Sequence, residues 1–250
     1  MQYVEVLRVR RVLLWFLGIV LGMVILSIVS TYAGTHGDIH AGGGTLHFAD
    51  LVLGCVFGAW IVTTCVAPGL SNESALTAPI VWTRPLSRQQ IAWRYVAVDV
   101  AAITLGYVAL IAVAMLALAA FGALGIVVTE PRAGATFALG LGAAMMWYAL
   151  VLLVSARIPA RGGMIAGLSW AVFIAIGTLW AAPMPAPVHA VFGALNYLNP
   201  MAWIGGVSSA SHHSVQHAVE LPMPLQILGC WAIAAVAAVV AVRLWATREV

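Results

Sequence analysis

Lysine is absent from this chain, and charge of either sign is scarce: 8% of residues are charged against 63% hydrophobic. Without a lysine there is no Gly-x-x-x-x-Gly-Lys loop to cradle phosphates, so this chain cannot drive itself by ATP hydrolysis through a P-loop. His-Glu-x-x-His, Gly-x-Ser-x-Gly and paired acids at helical spacing are missing too, which removes the common hydrolase signatures. Ser169, in Gly167-Leu168-Ser169-Trp170, stands alone without a base. The three cysteines (Cys55, Cys65, Cys230) lie inside apolar runs, and an odd number there reads as small buried thiols rather than a disulfide frame. Soluble domains carry about 25% charged residues. A mean hydropathy of +1.04 over 250 residues instead requires lipid as solvent.

What is present is a series of long apolar runs. A hydrocarbon core of ~30 Å needs about 20 apolar helical residues. Six stretches meet that length: Val12–Tyr32, Ala49–Leu70, Tyr95–Leu118, Phe137–Ala156, Gly163–Ala182 and Leu225–Leu244. The expected fold is an all-α integral membrane protein, one transmembrane domain over residues 1–250. The first run is too long for a signal-peptide core and is read as a retained span. With six spans both termini share a side. Ten arginines (Arg8, Arg10, Arg11, Arg84, Arg88, Arg94, Arg157, Arg161, Arg243, Arg248) fall on that side and only Arg132 on the other. The positive-inside rule makes that side cytoplasmic. The positive charge is therefore concentrated on one membrane face, where arginines meet lipid headgroups, and nucleic acid is not implied. An Ala/Val/Gly/Arg-rich, lysine-free composition points to a bacterial gene and a bacterial cytoplasmic (inner) membrane. Before the first span, Met1–Arg11 reads either as a short interfacial amphipathic helix or as a charged stop.

Every histidine falls on the opposite, external side. His36, Asp38, His40 and His47 lie in the first external loop; His189, His212, His213 and His217 lie in the last. Imidazole and carboxylate suit zinc or copper, so His36, Asp38, His40, His212, His213 and His217 are candidate ligands by type. Their spacing matches no defined site, and solvated loop residues are the plainer reading. The last loop also carries an apolar segment Val188–Leu198, a break at Asn199-Pro200, and Met201-Ala202-Trp203-Ile204. Neither part is long enough to span, and two short re-entrant or interfacial helices are expected.

Two features lie within the spans. Asp99 sits about one turn into the third, where a carboxylate costs up to ~2.5–3.5 kcal/mol at mid-bilayer and less near the interface. It is expected to pair with Arg94 or with a neighbouring helix, as a structural ion pair near the cytoplasmic face rather than as a proton relay, which would want deeper acids. Gly-x-x-x-Gly occurs at Gly18/Gly22, Gly54/Gly58 and Gly163/Gly167. Such pairs let helix backbones approach closely, here expected to be mainly within the chain.

Asn72 to Arg94, NESALTAPIVWTRPLSRQQIAWR, is a polar island between two apolar runs. Asn72 can cap a short helix through Glu73–Ile80, with Glu73 near its positive end. Pro79 weakens that helix, Pro85 breaks the chain, and Ser87 then caps a helix beginning Arg88-Gln89-Gln90 that runs into the third span. A plain connection is usually about 4–6 residues. This one is far longer and has caps at both ends.

These residues resemble the ABC-2 type family of ABC transporter permeases. The resemblance lies in Glu73 closing the second span, the helix Ser74–Val81, the step Pro85-Leu86-Ser87-Arg88, the basic Arg94 opening the third span, and Asn199-Pro200 after the fifth. In topology it covers the whole chain, and in motif about two dozen residues. The basic position is Arg94 where the family usually has Lys, and Glu73 stands alone where many relatives have two acids. The resemblance implies six spans, a cytoplasmic coupling helix and a re-entrant segment before the last span. It implies the transmembrane half of an exporter that binds no cofactor itself, with ATP and magnesium on a separate ATPase chain present in two copies. A second copy, or a similar permease, would complete the path. It also assigns Glu73, Ser74, Ala75, Leu76, Thr77, Arg84, Pro85, Ser87, Arg88 and Arg94 to the ATPase contact, and Asn199 and Pro200 to the re-entrant segment. Two other classes compete: a carrier or channel not driven by ATP, which needs polar groups converging at mid-bilayer, and a membrane-bound maturation factor using the external histidines. The sparsely charged spans suit an amphipathic or lipid-like cargo.

Overall fold

A computed structural model describes residues 10, 12–14, 16–18, 21–22, 46–68, 87–120, 122–129, 131–158, 161–204, 219 and 221–247. Long Ala/Leu/Val-rich runs satisfy every backbone polar group internally only as helices, and the described chain is accordingly almost all helical. In chain order it comprises β1 (Leu46–His47), α1 (Phe48–Val66), α2 (Arg88–Ala120), a 3-10 turn (Ala123–Ile126), β2 (Val127–Val128), α3 (Ala133–Ser155), α4 (Gly162–Ala181), α5 (Ala186–Asn196), α6 (Pro200–Ile204) and α7 (Met223–Ala246). Five of these, α1, α2, α3, α4 and α7, are long and apolar enough to cross a membrane. They match five of the six expected runs. Of the first run only scattered residues are described; 12–14, 16–18 and 21–22 are helical.

The helices start and stop where the side chains dictate. Proline occupies the first turn of α5 and of α7, where its missing N–H costs nothing. At the end of α2, Gly122 adopts φ 69°, the left-handed conformation only glycine takes cheaply, and its N–H bonds the Ala119 carbonyl at 3.0 Å. The chain then forms β2, which pairs in parallel with β1 (Leu46 opposite Val127). No hydrophobic alternation announces this two-residue pairing. At 33 residues α2 is about 50 Å long, well beyond a ~30 Å hydrocarbon core.

The core is built around α3, which packs most extensively on α7, then on α1. Its glycines make those approaches possible. A Cβ on Gly140 would collide with the Tyr107 hydroxyl and with Val56, and one on Gly142 would come within 3.1 Å of the Trp231 indole nitrogen. Leu13 and Phe16 lie against Gly106 and Gly58, so part of the first apolar run packs on α2 and α1.

The Gly-x-x-x-Gly expectation is corrected here. Of those six glycines only Gly58 faces neighbours; Gly18, Gly22, Gly54, Gly163 and Gly167 meet nothing among the described residues. Close approach instead uses isolated glycines opposite large rings: Gly140 against Tyr107, and Gly229 against the Trp203 indole. A bulky partner fits into a single missing side chain, so the paired motif is not needed.

Candidate functional site

The two helices flanking the polar island determine what can be built there. Ser87 N–H donates to Gln90 Oε1 at 3.1 Å while Gln90 N–H donates to Ser87 Oγ at 3.2 Å. This reciprocal capping box satisfies two N–H groups a helix terminus otherwise leaves open. It begins α2 at Arg88, seven residues before the apolar run itself. Gln89, Trp93 and Arg94 are exposed on these first turns, while Ile91, Ala92, Tyr95 and Val96 turn into the core.

Three side chains of α3 reach the flanks of the island. The Trp147 indole N–H donates to Thr64 Oγ1 at 3.0 Å, near the end of α1. The Tyr148 hydroxyl donates to Asp99 Oδ2 at 2.9 Å, on α2. Ser155 Oγ donates to the Leu152 carbonyl at 2.7 Å and also lies 3.3 Å from the Ala67 carbonyl, just past α1. Thr64 is fully used: it donates to the Trp60 carbonyl at 2.7 Å and accepts from both Trp147 and Trp170, the latter at 3.1 Å from α4. Around it stack Trp60, Trp147, Trp170 and Phe173, with ring centroids 4.7–6.3 Å apart. Asp99, 2% exposed, thus has a partner on a neighbouring helix, one of the two pairings expected for it.

The arginines at this end of the bundle, Arg94, Arg157, Arg161 and Arg243, are exposed, and Arg132 lies at the opposite end, just before α3. Ser87, Arg88 and Arg94 are the only assigned coupling residues that are described. Glu73, Ser74, Ala75, Leu76, Thr77, Arg84 and Pro85 lie outside the described residues, as does the expected helix Ser74–Val81.

At the other end, the last loop forms two short helices as expected. Asn199 breaks them apart: its Oδ1 accepts the Met201 N–H at 3.1 Å, capping α6, and its Nδ2 donates to Asn196 Oδ1 at 3.4 Å. Pro200 occupies the first position of α6. Trp180 on α4 stacks on His189 of α5 with centroids 3.9 Å apart. Val219 is held from two sides, its N–H on the Ala202 carbonyl at 2.8 Å and its carbonyl on Gln226 Nε2 at 2.9 Å. His36, Asp38, His40, His212, His213 and His217 lie outside the described residues. Among the described residues, no three His, Cys, Asp or Glu side chains gather into a metal-binding group.

No protein-family model, curated protein or solved structure matches this chain. The functional reading therefore rests on the residues themselves. The tryptophan node around Thr64 was not anticipated from sequence. Trp147 and Trp170 lie 83 and 106 positions from Thr64, and nothing local marks them as its neighbours.

Proposed function

We propose that this chain is the membrane-spanning half of an ATP-driven exporter of the ABC-2 type, worked by a separate ATPase chain at the island between α1 and α2. The observation that carries the reading is the Ser87–Gln90 cap, which starts a 33-residue helix at the arginine of the Pro85-Leu86-Ser87-Arg88 step. A rigid helix that projects beyond the hydrocarbon and begins at the island is what a coupling element needs, because a push at its end is carried into the membrane without bending. The arginine asymmetry supports an inner-membrane orientation with both termini cytoplasmic.

In this reading the first apolar run completes a six-span half-channel, residues 74–81 form the coupling helix, and α5 and α6 form the re-entrant segment. Glu73 and Arg88 hold the coupling helix at its working angle, and Arg84 contacts the ATPase or lipid phosphates. A second permease copy fits against α4, whose outward surface carries Gly163, Gly167, Ala171 and Ala175, four small residues at four-residue spacing. The cargo is an amphipathic or lipid-like molecule, in keeping with spans whose one deep acid, Asp99, is occupied by Tyr148.

The test is transport and ATP hydrolysis measured together on the chain purified with its ATPase. Glu73→Gln and Arg88→Ala are expected to keep hydrolysis and the assembly while losing transport. Wild-type transport in both variants would remove the coupling assignment.

A further inference from the structure

Trp147 and Tyr148 are adjacent on α3, so their side chains leave the helix about 100° apart. That divergence sends one to Thr64 on α1 and the other to Asp99 on α2. We infer that this pair positions the two helices flanking residues 69–86, locking the end of α1 and the first third of α2 to the central helix. A displacement applied between those helices then reaches α3, and through it α7, instead of being absorbed by α1 sliding against α2. The inference rests on the reading above that the island receives the partner's work.

The bonds are suited to that role by direction and by burial. Both acceptors are buried, Thr64 at 6% and Asp99 at 2% exposure, so water does not substitute for a broken bond. α2 packs only lightly on α3, so the Tyr148–Asp99 bond, together with the Tyr107–Gly140 fit, sets their register. Trp170 brings α4 into the Thr64 node, and the contact of Ser155 with the Ala67 carbonyl ties α1 a second time. Further along, α2 meets α3 where the Tyr107 ring fits over Gly140. There the Tyr107 hydroxyl has no hydrogen-bond partner among the described residues. The Trp60 indole N–H bonds α1 to the Ala143 carbonyl of α3 one turn deeper, at 3.4 Å, while at the level of Tyr107 and Gly140 the fit between α2 and α3 is steric.

The experiment uses the full chain in lipid nanodiscs, with Cys55, Cys65 and Cys230 replaced by Ala and spin labels at Gln89→Cys and Arg157→Cys, both exposed positions. The distance distribution between the labels is read by pulsed dipolar spectroscopy. Tyr148→Phe, which removes only the hydroxyl, is expected to broaden the distribution about twofold, with a lower melting temperature because the buried Asp99 loses that donor. Asp99→Asn keeps an acceptor for the hydroxyl and is expected to retain the narrow distribution. An unchanged width in Tyr148→Phe overturns the inference, and so does equal broadening in both variants. This measurement needs no ATPase. In the complex with its ATPase, Tyr148→Phe is expected to keep hydrolysis and lose transport; parallel loss of both overturns the positioning role. Failure to find any ATPase partner sinks the permease reading while the label distances still decide the clamp.

Discussion

α3 and α4 follow one another in the chain, have similar lengths and carry no charge, yet occupy opposite situations. Two thirds of the apolar stretch of α3 (67%) is buried, against 22% for α4. Composition does not separate them. In lipid, an apolar side chain gains nothing by leaving the solvent, so apolarity does not mark the inside of a bundle. What separates them is steric and polar pairing. α3 offers gaps at Gly140 and Gly142 into which rings fit, and donors at Trp147, Tyr148 and Ser155 that meet acceptors on two other helices. α4 turns Ile165, Ser169 and Trp170 inward and leaves Met164, Leu168, Val172 and Ile174 facing out.

Substitutions can break that contrast if it is wrong. The largest effect is expected for Trp147→Ala. It removes a fully buried indole stacked on three rings and a donor to Thr64, and its cost is about 3–5 kcal/mol. The equivalent truncation on α4, Leu168→Ala, is expected to stay within about 0.5 kcal/mol. Reversible unfolding in mixed micelles compares the two, and similar losses would mean that α4 is no periphery. Next in size is Gly140→Ala, whose new methyl overlaps Tyr107 and Val56; it should cost about 1–3 kcal/mol through overpacking. Ser87→Ala removes half of the capping box and should cost about 1 kcal/mol, visible as faster amide exchange over residues 88–91. The smallest effect belongs to Gly167→Ala, where an added methyl meets open space and helix propensity favours alanine, so melting of the single chain should hold or rise slightly. Gly167→Leu extends that comparison: it should leave the single chain intact but weaken pairing of two copies, read by cross-linking in membranes.

The helices were legible in the sequence because the 20-residue apolar length is imposed by the bilayer and shows in any hydropathy reading. The run Phe137–Ala156 became α3 at Ala133–Ser155, and Gly163–Ala182 became α4 at Gly162–Ala181. Start signals were legible as well, since Ser87, Asn199 and Pro200 act through residues only one to three positions away. The start of α2 was moved outward by that cap into a polar stretch, which hydropathy alone does not count as span. What could not be read were contacts between distant residues. Thr64 looks like any threonine in an apolar run, and its role as acceptor for two indoles exists only once α1, α3 and α4 converge. The glycine motifs misled for the same reason: spacing along one helix says nothing about whether another helix lies opposite. The Asp99 reading succeeded halfway. Burial of a carboxylate demands a partner, and the phenol of Tyr148 met that demand from a neighbouring helix.

The central claim is that the island between α1 and α2 is where an ATPase acts on this chain, and one measurement tests it directly. Leu76→p-benzoylphenylalanine, introduced in the full chain and irradiated in native membranes, places a photo-reactive ring on the proposed coupling helix. The account predicts a cross-link to a separate soluble chain that carries a Gly-x-x-x-x-Gly-Lys motif and hydrolyses ATP, with yield that changes when ATP is added. Cross-links only to lipid or to this same chain, with no ATP-hydrolysing protein captured, would contradict it.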